Sequence, residues 1–134
     1  IKKVASGGEL SRLLLIMKSF ISKNDKNKTI IFDEVDSGLS GKVSGVVADK
    51  IVEISKYIQV LAITHSPQVA AKADKHWKIV KNIKNSNIME SSIIELNEEE
   101  RIEEIANIFS GSSLSEASRE VAKELLLKKW LIKN

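Results

Sequence analysis

The chain has 134 residues, of which 43% are hydrophobic and 29% are charged, with a formal net charge of +3. These values are typical of one globular domain with a single core, and no apolar run is long enough to cross a bilayer. The absence of cysteine excludes disulfide bonds and thiolate metal sites. A lysine-rich surface explains the small basic excess at least as well as nucleic-acid binding does, so charge alone assigns no function.

The first predicted elements are a helix and a strand. After a loop at Ile1–Gly8, apolar residues recur with helical spacing and form one stripe, made of Leu10, Leu13, Leu14, Met17 and Ile21. A polar surface loop follows at residues 22–28. Thr29–Phe32 is a β-branched and aromatic run without polar alternation, which predicts a strand buried on both faces of a parallel sheet.

A second helix and strand follow a turn at residues 37–41. The helix is predicted at Lys42–Ser55, with an inner side made of Val46, Val47, Ile51 and Ile54. The strand is predicted at Ile58–Thr64. Pro67 then opens a short helix, because proline suits the first helical position.

The last predicted elements are a hairpin and two helices. His76–Lys84 and Asn87–Leu96 alternate apolar and polar residues and are predicted to pair around Asn85-Ser86. The helices are predicted at Glu98–Phe109 and from Leu114 to about Trp130, the second with a capping box of Ser113 and Glu116. The order of elements predicts an α/β fold, in which parallel strands flanked by helices are followed by the β-hairpin and two C-terminal helices.

Ser6-Gly7-Gly8-Glu9 precedes the first predicted helix and has the features of an anion-binding loop. Glycines let backbone N–H groups approach a ligand closely, and the helix N-terminus favours negative charge. Taken alone, the motif is explained better by a flexible loop in which Ser6 is an ordinary N-cap.

Acidic residues end the first predicted strand, and a histidine ends the second. A strand followed by Asp33-Glu34 matches a Walker B segment, in which Asp33 holds Mg²⁺ and Glu34 polarises the attacking water. The carboxyl ends of parallel strands share one edge of the sheet, so His65 is expected beside them, within reach of a γ-phosphate. An acidic turn and an exposed histidine are the simpler explanations of each feature alone.

In this order, the motifs resemble those of the ATP-binding-cassette (ABC) superfamily. Ser6-Gly7-Gly8-Glu9 is similar to its signature motif, Asp33-Glu34 to the end of Walker B, and His65 to its switch histidine. The segment Asp36–Ser40, with Asp36, Ser37, Gly38 and Ser40, is similar to its D-loop. The resemblance implies that residues 1–134 form the C-terminal lobe of an ABC-type P-loop ATPase head, with ATP and Mg²⁺ as ligands.

Val35 points to one branch of that superfamily. Transporters typically carry proline after the Asp-Glu pair, whereas Asp33-Glu34-Val35-Asp36 resembles the chromosome-maintenance and DNA-repair branch. The strings Val4–Arg12, Phe32–Gly38 and Ile63–Ala70 resemble its bacterial DNA-repair members, as does the acidic stretch Asn97–Glu104. The resemblance implies a homodimer formed by head engagement, DNA as partner (double-strand-break ends or single strands) and a cytoplasmic, nucleoid-associated protein without membrane contact. Ser40 departs from the pattern, because many members carry aspartate there.

The sequence contains no Walker A loop, which has the pattern Gly-x-x-x-x-Gly-Lys-Ser/Thr. Gly41-Lys42 fails because Val43 follows and Asp36 stands where the first glycine belongs. We therefore expect a part of a longer protein, which alone is inactive and exposes an apolar face of its sheet. The resemblance implies that Asp33, Glu34 and His65 act on nucleotide held by their own head. It implies that the signature motif contacts nucleotide held by a partner.

Two alternatives remain open from the sequence. One is another branch of the same superfamily, such as a chromosome-maintenance or transporter cassette. The other is a non-catalytic module that binds DNA or a partner through a basic surface made of Lys72, Lys75, Lys78, Lys81 and Lys84. For these lysines, a solvated strand-and-loop face is the preferred interpretation.

Overall fold

The computed structural model describes residues 16–17, 28–84, 88–111 and 114–133. Their elements are β1 (Thr29–Asp33), α1 (Gly41–Ser55), β2 (Gln59–Ile63), α2 (Pro67–Lys72), β3 (Trp77–Lys84), β4 (Ile88–Glu95), α3 (Glu98–Ser110) and α4 (Glu116–Lys133). Ile16 and Met17 are helical, whereas the rest of the predicted first helix lies outside these ranges. No helix within the described ranges is both long and apolar enough to cross a membrane.

The strands of the described residues form two separate pairs. β1 and β2 are parallel, with Asp33 opposite Ile63 at their carboxyl ends. β3 and β4 are antiparallel, with Trp77 opposite Glu95. Both pairings confirm the predicted α/β order, although the predicted hairpin turn at Asn85-Ser86 lies outside the described residues. The parallel pair brings the ends of β1 and β2 to one edge, where the candidate site lies.

The prediction that β1 is buried on both faces is wrong. Ile30 and Phe32 pack against the core, but Ile31 on the opposite face is 64% exposed. In β2, Ile63 is exposed as well. Since successive residues of a strand point to opposite faces, this apolar sequence has a covering layer on one face only within the described part. The expected exposed apolar face is therefore present.

The first core cluster lies between α1 and the parallel strands. Val47, Ile51 and Ile54 of α1 are buried there with Met17, Ile58 and Val69. The predicted inner side of α1 is wrong at Val46, which is exposed, whereas Ser44 and Ala48 are buried. The reason is helical periodicity, because Ser44, Val47, Ile51 and Ile54 follow one stripe and Val46 lies about 100° away from Val47.

The second core cluster lies where α2, α3 and α4 meet. Four alanines surround Ile105 in this cluster, namely Ala70, Ala71, Ala106 and Ala122. Their small side chains allow these helices to pack closely. Because Val69 belongs to the first cluster and Ala70 to the second, α2 connects the parallel sheet to the C-terminal helices.

Side chains cap the N-termini of both C-terminal helices. Asn97 and Glu100 form a reciprocal capping box at α3, with hydrogen bonds of 2.9 Å and 2.8 Å. At α4 the predicted box includes Ser113, which lies outside the described residues, and the helix begins at Glu116. Ser115 and Ser118 exchange backbone-to-side-chain hydrogen bonds there.

Candidate functional site

The turn after β1 holds Glu34 in an unusual backbone conformation. The Glu34 amide donates to the carbonyl of Ile63 at 2.9 Å, and the Ser37 amide donates to the carbonyl of Glu34 at 2.9 Å. The φ angle of Glu34 is 47°, in the left-handed region that costs an L-residue about 1–2 kcal/mol. Such strain persists only where neighbouring contacts impose it, and it clusters at functional sites.

Glu34 and His65 lie together at the edge where the parallel strands end. Nε2 of His65 is 3.6 Å from Oε1 of Glu34, and the two side chains are 87% and 55% exposed. This separation is too long for a direct hydrogen bond. An exposed carboxylate and imidazole at this spacing can both reach one ligand, or one water molecule, placed beside them.

Asp33 lies next to this pair but on another face. It ends the exposed side of β1 that carries Ile31, and it does not line the cavity that Glu34 and His65 line. The described residues contain no group of three or more His, Cys, Asp or Glu side chains that could hold a metal ion. Mg²⁺ usually binds to one or two carboxylates, completed by water and substrate phosphates. The donor set around Asp33 fits Mg²⁺ in that manner only.

The predicted D-loop residues divide into one buried residue and three exposed residues. Asp36 is 7% exposed, and its Oδ2 accepts a hydrogen bond of 2.5 Å from Oγ1 of Thr64. Ser37, Gly38 and Ser40 are exposed. Gly38 has a φ angle of 76°, which glycine adopts without strain. Asp36 therefore faces its own chain, whereas the other three residues face outward.

Three polar residues after β2 belong to the site although the sequence analysis gave them no role. The Ser66 amide donates to Oγ1 of Thr64 at 2.9 Å, and Oγ of Ser66 donates to Oε1 of Gln68 at 2.9 Å. A Cβ atom added to Gly41 would lie 3.1 Å from Nε2 of Gln68. The polar end of β2 is visible in the sequence and could have indicated Thr64. The hydrogen bond between Thr64 and Asp36 depends on the register of β1 against β2, which the spacing of the motifs does not give.

A cavity of about 400 Å³ lies against these residues. Glu34, Asp36 and His65 line one side, and Ile108 and Phe109 of α3 line another. Its volume is within the range of small-ligand sites. The apolar wall from α3 was not predicted, because only the packing of α3 against α2 brings it there.

The predicted signature motif, Ser6-Gly7-Gly8-Glu9, lies outside the described residues. The geometry of the candidate site therefore comes from the two strand ends, the predicted D-loop and the start of α2.

Most of the candidate basic surface is paired with acids. Lys72 pairs with Asp49, Lys75 with Glu95 at 3.0 Å, and Lys78 with Glu104. Hydrogen bonds from Lys75, and then from Trp77, lower the pKa of the Glu95 carboxyl. Lys81 is exposed, and the side chain of Lys84 lies outside the described part. This surface carries mixed charge, which attracts a polyanion weakly.

No family model matches the chain. The chain is 46% identical over 124 residues to the DNA repair protein RecN of Halalkalibacterium halodurans, covering 92% of this chain and 22% of that protein. It is 44% identical over 126 residues to the RecN proteins of Bacillus subtilis and Rickettsia conorii, covering 94% of this chain and 22% and 23% of theirs. The chain thus spans about a fifth of the length of these relatives.

The chain is also similar in structure to an SMC ATPase. That solved structure comes from work on the ATP-driven dimerization and DNA stimulated activation of SMC ATPases, and it matches with a TM-score of 0.56 and 25% identity. The match covers 79% of this chain and 62% of that chain. The predicted resemblance to bacterial DNA-repair proteins is confirmed. Over nearly its whole length, the chain is similar to a segment of the RecN DNA repair proteins, and it shares its fold with an SMC ATPase.

Proposed function

We propose that residues 1–134 are the C-terminal lobe of a RecN-like DNA-repair ATPase head, which serves ATP hydrolysis in the full-length protein when two heads engage. One observation carries this proposal: Glu34 and His65 lie 3.6 Å apart at the shared edge of two parallel strands. Ligands of open α/β sheets bind at this edge. The similarity to RecN and to an SMC ATPase supports the same activity.

Glu34 and His65 have complementary tasks in this proposal. The Glu34 carboxylate orients the attacking water and accepts its proton. The His65 imidazole donates a hydrogen bond to an oxygen of the terminal phosphate, where negative charge is stabilised during transfer. Both side chains are exposed, so both can reach a nucleotide held against this edge. The turn that fixes Glu34 at a φ angle of 47° sets the direction of its side chain in advance.

Asp33 would hold Mg²⁺, in part through water. Bound Mg²⁺ neutralises charge on the phosphate oxygens of ATP. Asp33 shares its exposed face with Ile31, so the described residues leave room there for a phosphate-binding loop from the remainder of the protein. Since the chain contains no Walker A sequence, we expect no measurable ATP hydrolysis by the 134-residue chain alone.

The signature motif Ser6-Gly7-Gly8-Glu9 would contact ATP held by the partner head. The D-loop residues Ser37, Gly38 and Ser40 are exposed and would lie at the same dimer interface. DNA is the proposed macromolecular partner, bound by the full-length protein as a broken end or a single strand. The paired lysines support a location for DNA binding outside Lys72, Lys75 and Lys78.

The direct test is Glu34→Gln in the full-length protein. The amide keeps the shape of the carboxylate but cannot accept the proton, so we expect hydrolysis to fall on the order of 10²–10⁴-fold. ATP-dependent dimers should persist, as measured by light scattering. Glu124→Gln removes an exposed carboxylate on α4 and serves as the matched control. Normal hydrolysis by Glu34→Gln would exclude Glu34 as the general base.

A salt titration separates this function from a non-catalytic DNA-binding module. Phosphate contacts weaken steeply as salt rises. If the 134-residue chain alone binds DNA with a steep salt dependence, the module is favoured. We expect weak binding instead, because three of the five candidate lysines are paired with acids.

A further inference from the structure

The hydroxyl of Thr64 connects the D-loop to the segment that carries His65. It donates a hydrogen bond of 2.5 Å to Oδ2 of Asp36 and accepts one of 2.9 Å from the backbone amide of Ser66. A hydroxyl has both a donor and acceptor sites, and Thr64 uses both. The residues on either side of His65 are therefore both linked to the Asp36 carboxylate, Thr64 directly and Ser66 through the Thr64 hydroxyl.

Among the described residues, few contacts restrain the side chain of His65. Its side chain is 87% exposed and its contact with Glu34 is 3.6 Å long. The direction of the imidazole is consequently set by the backbone of residues 64–66. That backbone is held by Thr64 through Ser66, and it continues from β2, whose Ile63 carbonyl accepts the hydrogen bond from Glu34.

Asp36 is suited to this anchoring role by its burial. It is 7% exposed, and a buried carboxylate needs donors to replace lost water. Hydrogen bonds to ionised groups are stronger than neutral ones. A second tie lies next to it, where Oγ of Ser66 bonds Gln68 and Gln68 packs against Gly41 at the start of α1.

We propose that Asp36 and Thr64 are positioning residues that couple the D-loop to the switch histidine, so that partner contact at the D-loop aligns His65 for hydrolysis. This inference rests on the proposed ATPase function. The D-loop is built for such coupling, because Ser37, Gly38 and Ser40 face outward while Asp36 faces inward. A shift of the outward residues against a partner head is transmitted through Asp36 to the backbone that carries His65.

Thr64→Val in the full-length protein tests the coupling, since valine keeps the shape and removes the hydroxyl. We expect kcat to fall on the order of tenfold or more, because small misplacements of reacting groups are costly. KM for ATP and ATP-dependent dimers should be unchanged, since the interaction acts on the chemical step. Thr64→Ser keeps the hydroxyl and should restore kcat.

Thr29→Val is the matched control. Oγ1 of Thr29 bonds Oε1 of Gln59 at 2.7 Å, at the opposite end of the same two strands. Thr29→Val therefore removes a threonine hydroxyl from the same strand pair without changing the site, and kcat should stay at the wild-type value.

A double-mutant cycle with Asp36→Ala tests the connection itself. If the two residues act through one hydrogen bond, the variant with both changes should be no slower than the slower single variant. Losses that multiply would overturn the coupling. If Thr64→Val fails to fold, Asp36→Ala alone replaces it, because alanine removes the acceptor of the hydrogen bond: a reduced kcat at unchanged KM supports the proposal, and wild-type kcat overturns it.

Glu34→Gln distinguishes a failure of the positioning role from a failure of the proposed catalytic role of Glu34. If that variant is slow while Thr64→Val is normal, the positioning role fails and the ATPase function stands. If Glu34→Gln hydrolyses ATP at the wild-type rate, Glu34 is not the general base. If the wild-type full-length protein hydrolyses no ATP, the ATPase function fails and the positioning role fails with it.

Discussion

The turn after β1 and the helical cluster around Ile105 are held in different ways. In the turn, Glu34 and Gly38 have positive φ angles, and the Glu34 side chain is more than half exposed. In the cluster, Ile105, Ala106 and Ala122 are fully buried, and α3 begins with a capping box. The cluster is stabilised by buried apolar side chains and a capped helix, whereas the turn contains a strained backbone and an exposed side chain. Such strain is expected where geometry serves chemistry.

α2 is the link between these two regions. Its N-terminus follows the His65 segment, and its Ala70 and Ala71 are buried in the cluster. The carbonyl of Ala73, just after α2, accepts hydrogen bonds from Arg101 at 2.8 Å and from Lys129 at 2.6 Å. The C-terminal helices therefore hold the end of α2, the helix that follows directly after the segment that carries His65. We therefore expect changes in the cluster to alter stability and changes in the turn to alter activity.

Ile105→Ala should give the largest effect on stability. Ile105 is fully buried, and truncating such a side chain to alanine costs about 2–5 kcal/mol. Urea titration gives the free energy of unfolding. Ile93→Ala is the control, because Ile93 is 70% exposed and should lose much less. Equal losses at the two positions would contradict the assignment of the cluster as the source of stability.

The sequence predicted the order of the elements and the meeting of Glu34 with His65. Both follow from local patterns, since strand ends in a parallel pair share one edge. It did not predict which face of β1 is covered, because burial of Ile31 depends on layers outside the strand. The bond between Thr64 and Asp36 and the wall made by Phe109 depend on register and helix packing, which no local pattern records.

Glu34→Asn should separate stability from activity within the turn. Asparagine tolerates the left-handed region better than glutamate, so we expect a gain of up to about 1 kcal/mol together with loss of hydrolysis. Glu34→Gln is the control, because it removes the same charge and keeps the strain. Thermal unfolding of both variants gives the difference. If Glu34→Asn is no more stable than Glu34→Gln, the positive φ angle carries no measurable strain.

His76 should give the smallest effect, and one that depends on pH. Burial, and then the positive charge of Arg101, lowers the pKa of His76 below its ordinary value of 6.5; Lys78 acts in the same direction and Glu104 opposes it. Its Nδ1 atom is buried without a hydrogen-bond partner in the described part of the chain. A lowered pKa means that the unfolded chain takes up the proton first as pH falls. The stability contribution is therefore complete above pH 6.5 and is lost as pH falls from there through the pKa of the folded state.

His76→Gln removes this titration and should make the free energy of unfolding depend less on pH between about 7.5 and 5. The difference in slope from the wild type cannot exceed about 1.4 kcal/mol per pH unit, which corresponds to one proton. His65→Gln is the control, because that side chain is 87% exposed at the edge of the sheet. An equal change of slope in His65→Gln and in His76→Gln would contradict the assignment of this pH dependence to His76. A change confined to His76→Gln assigns the pH dependence of folding to His76 and the charges of α3 that act on it, away from the residues proposed for hydrolysis.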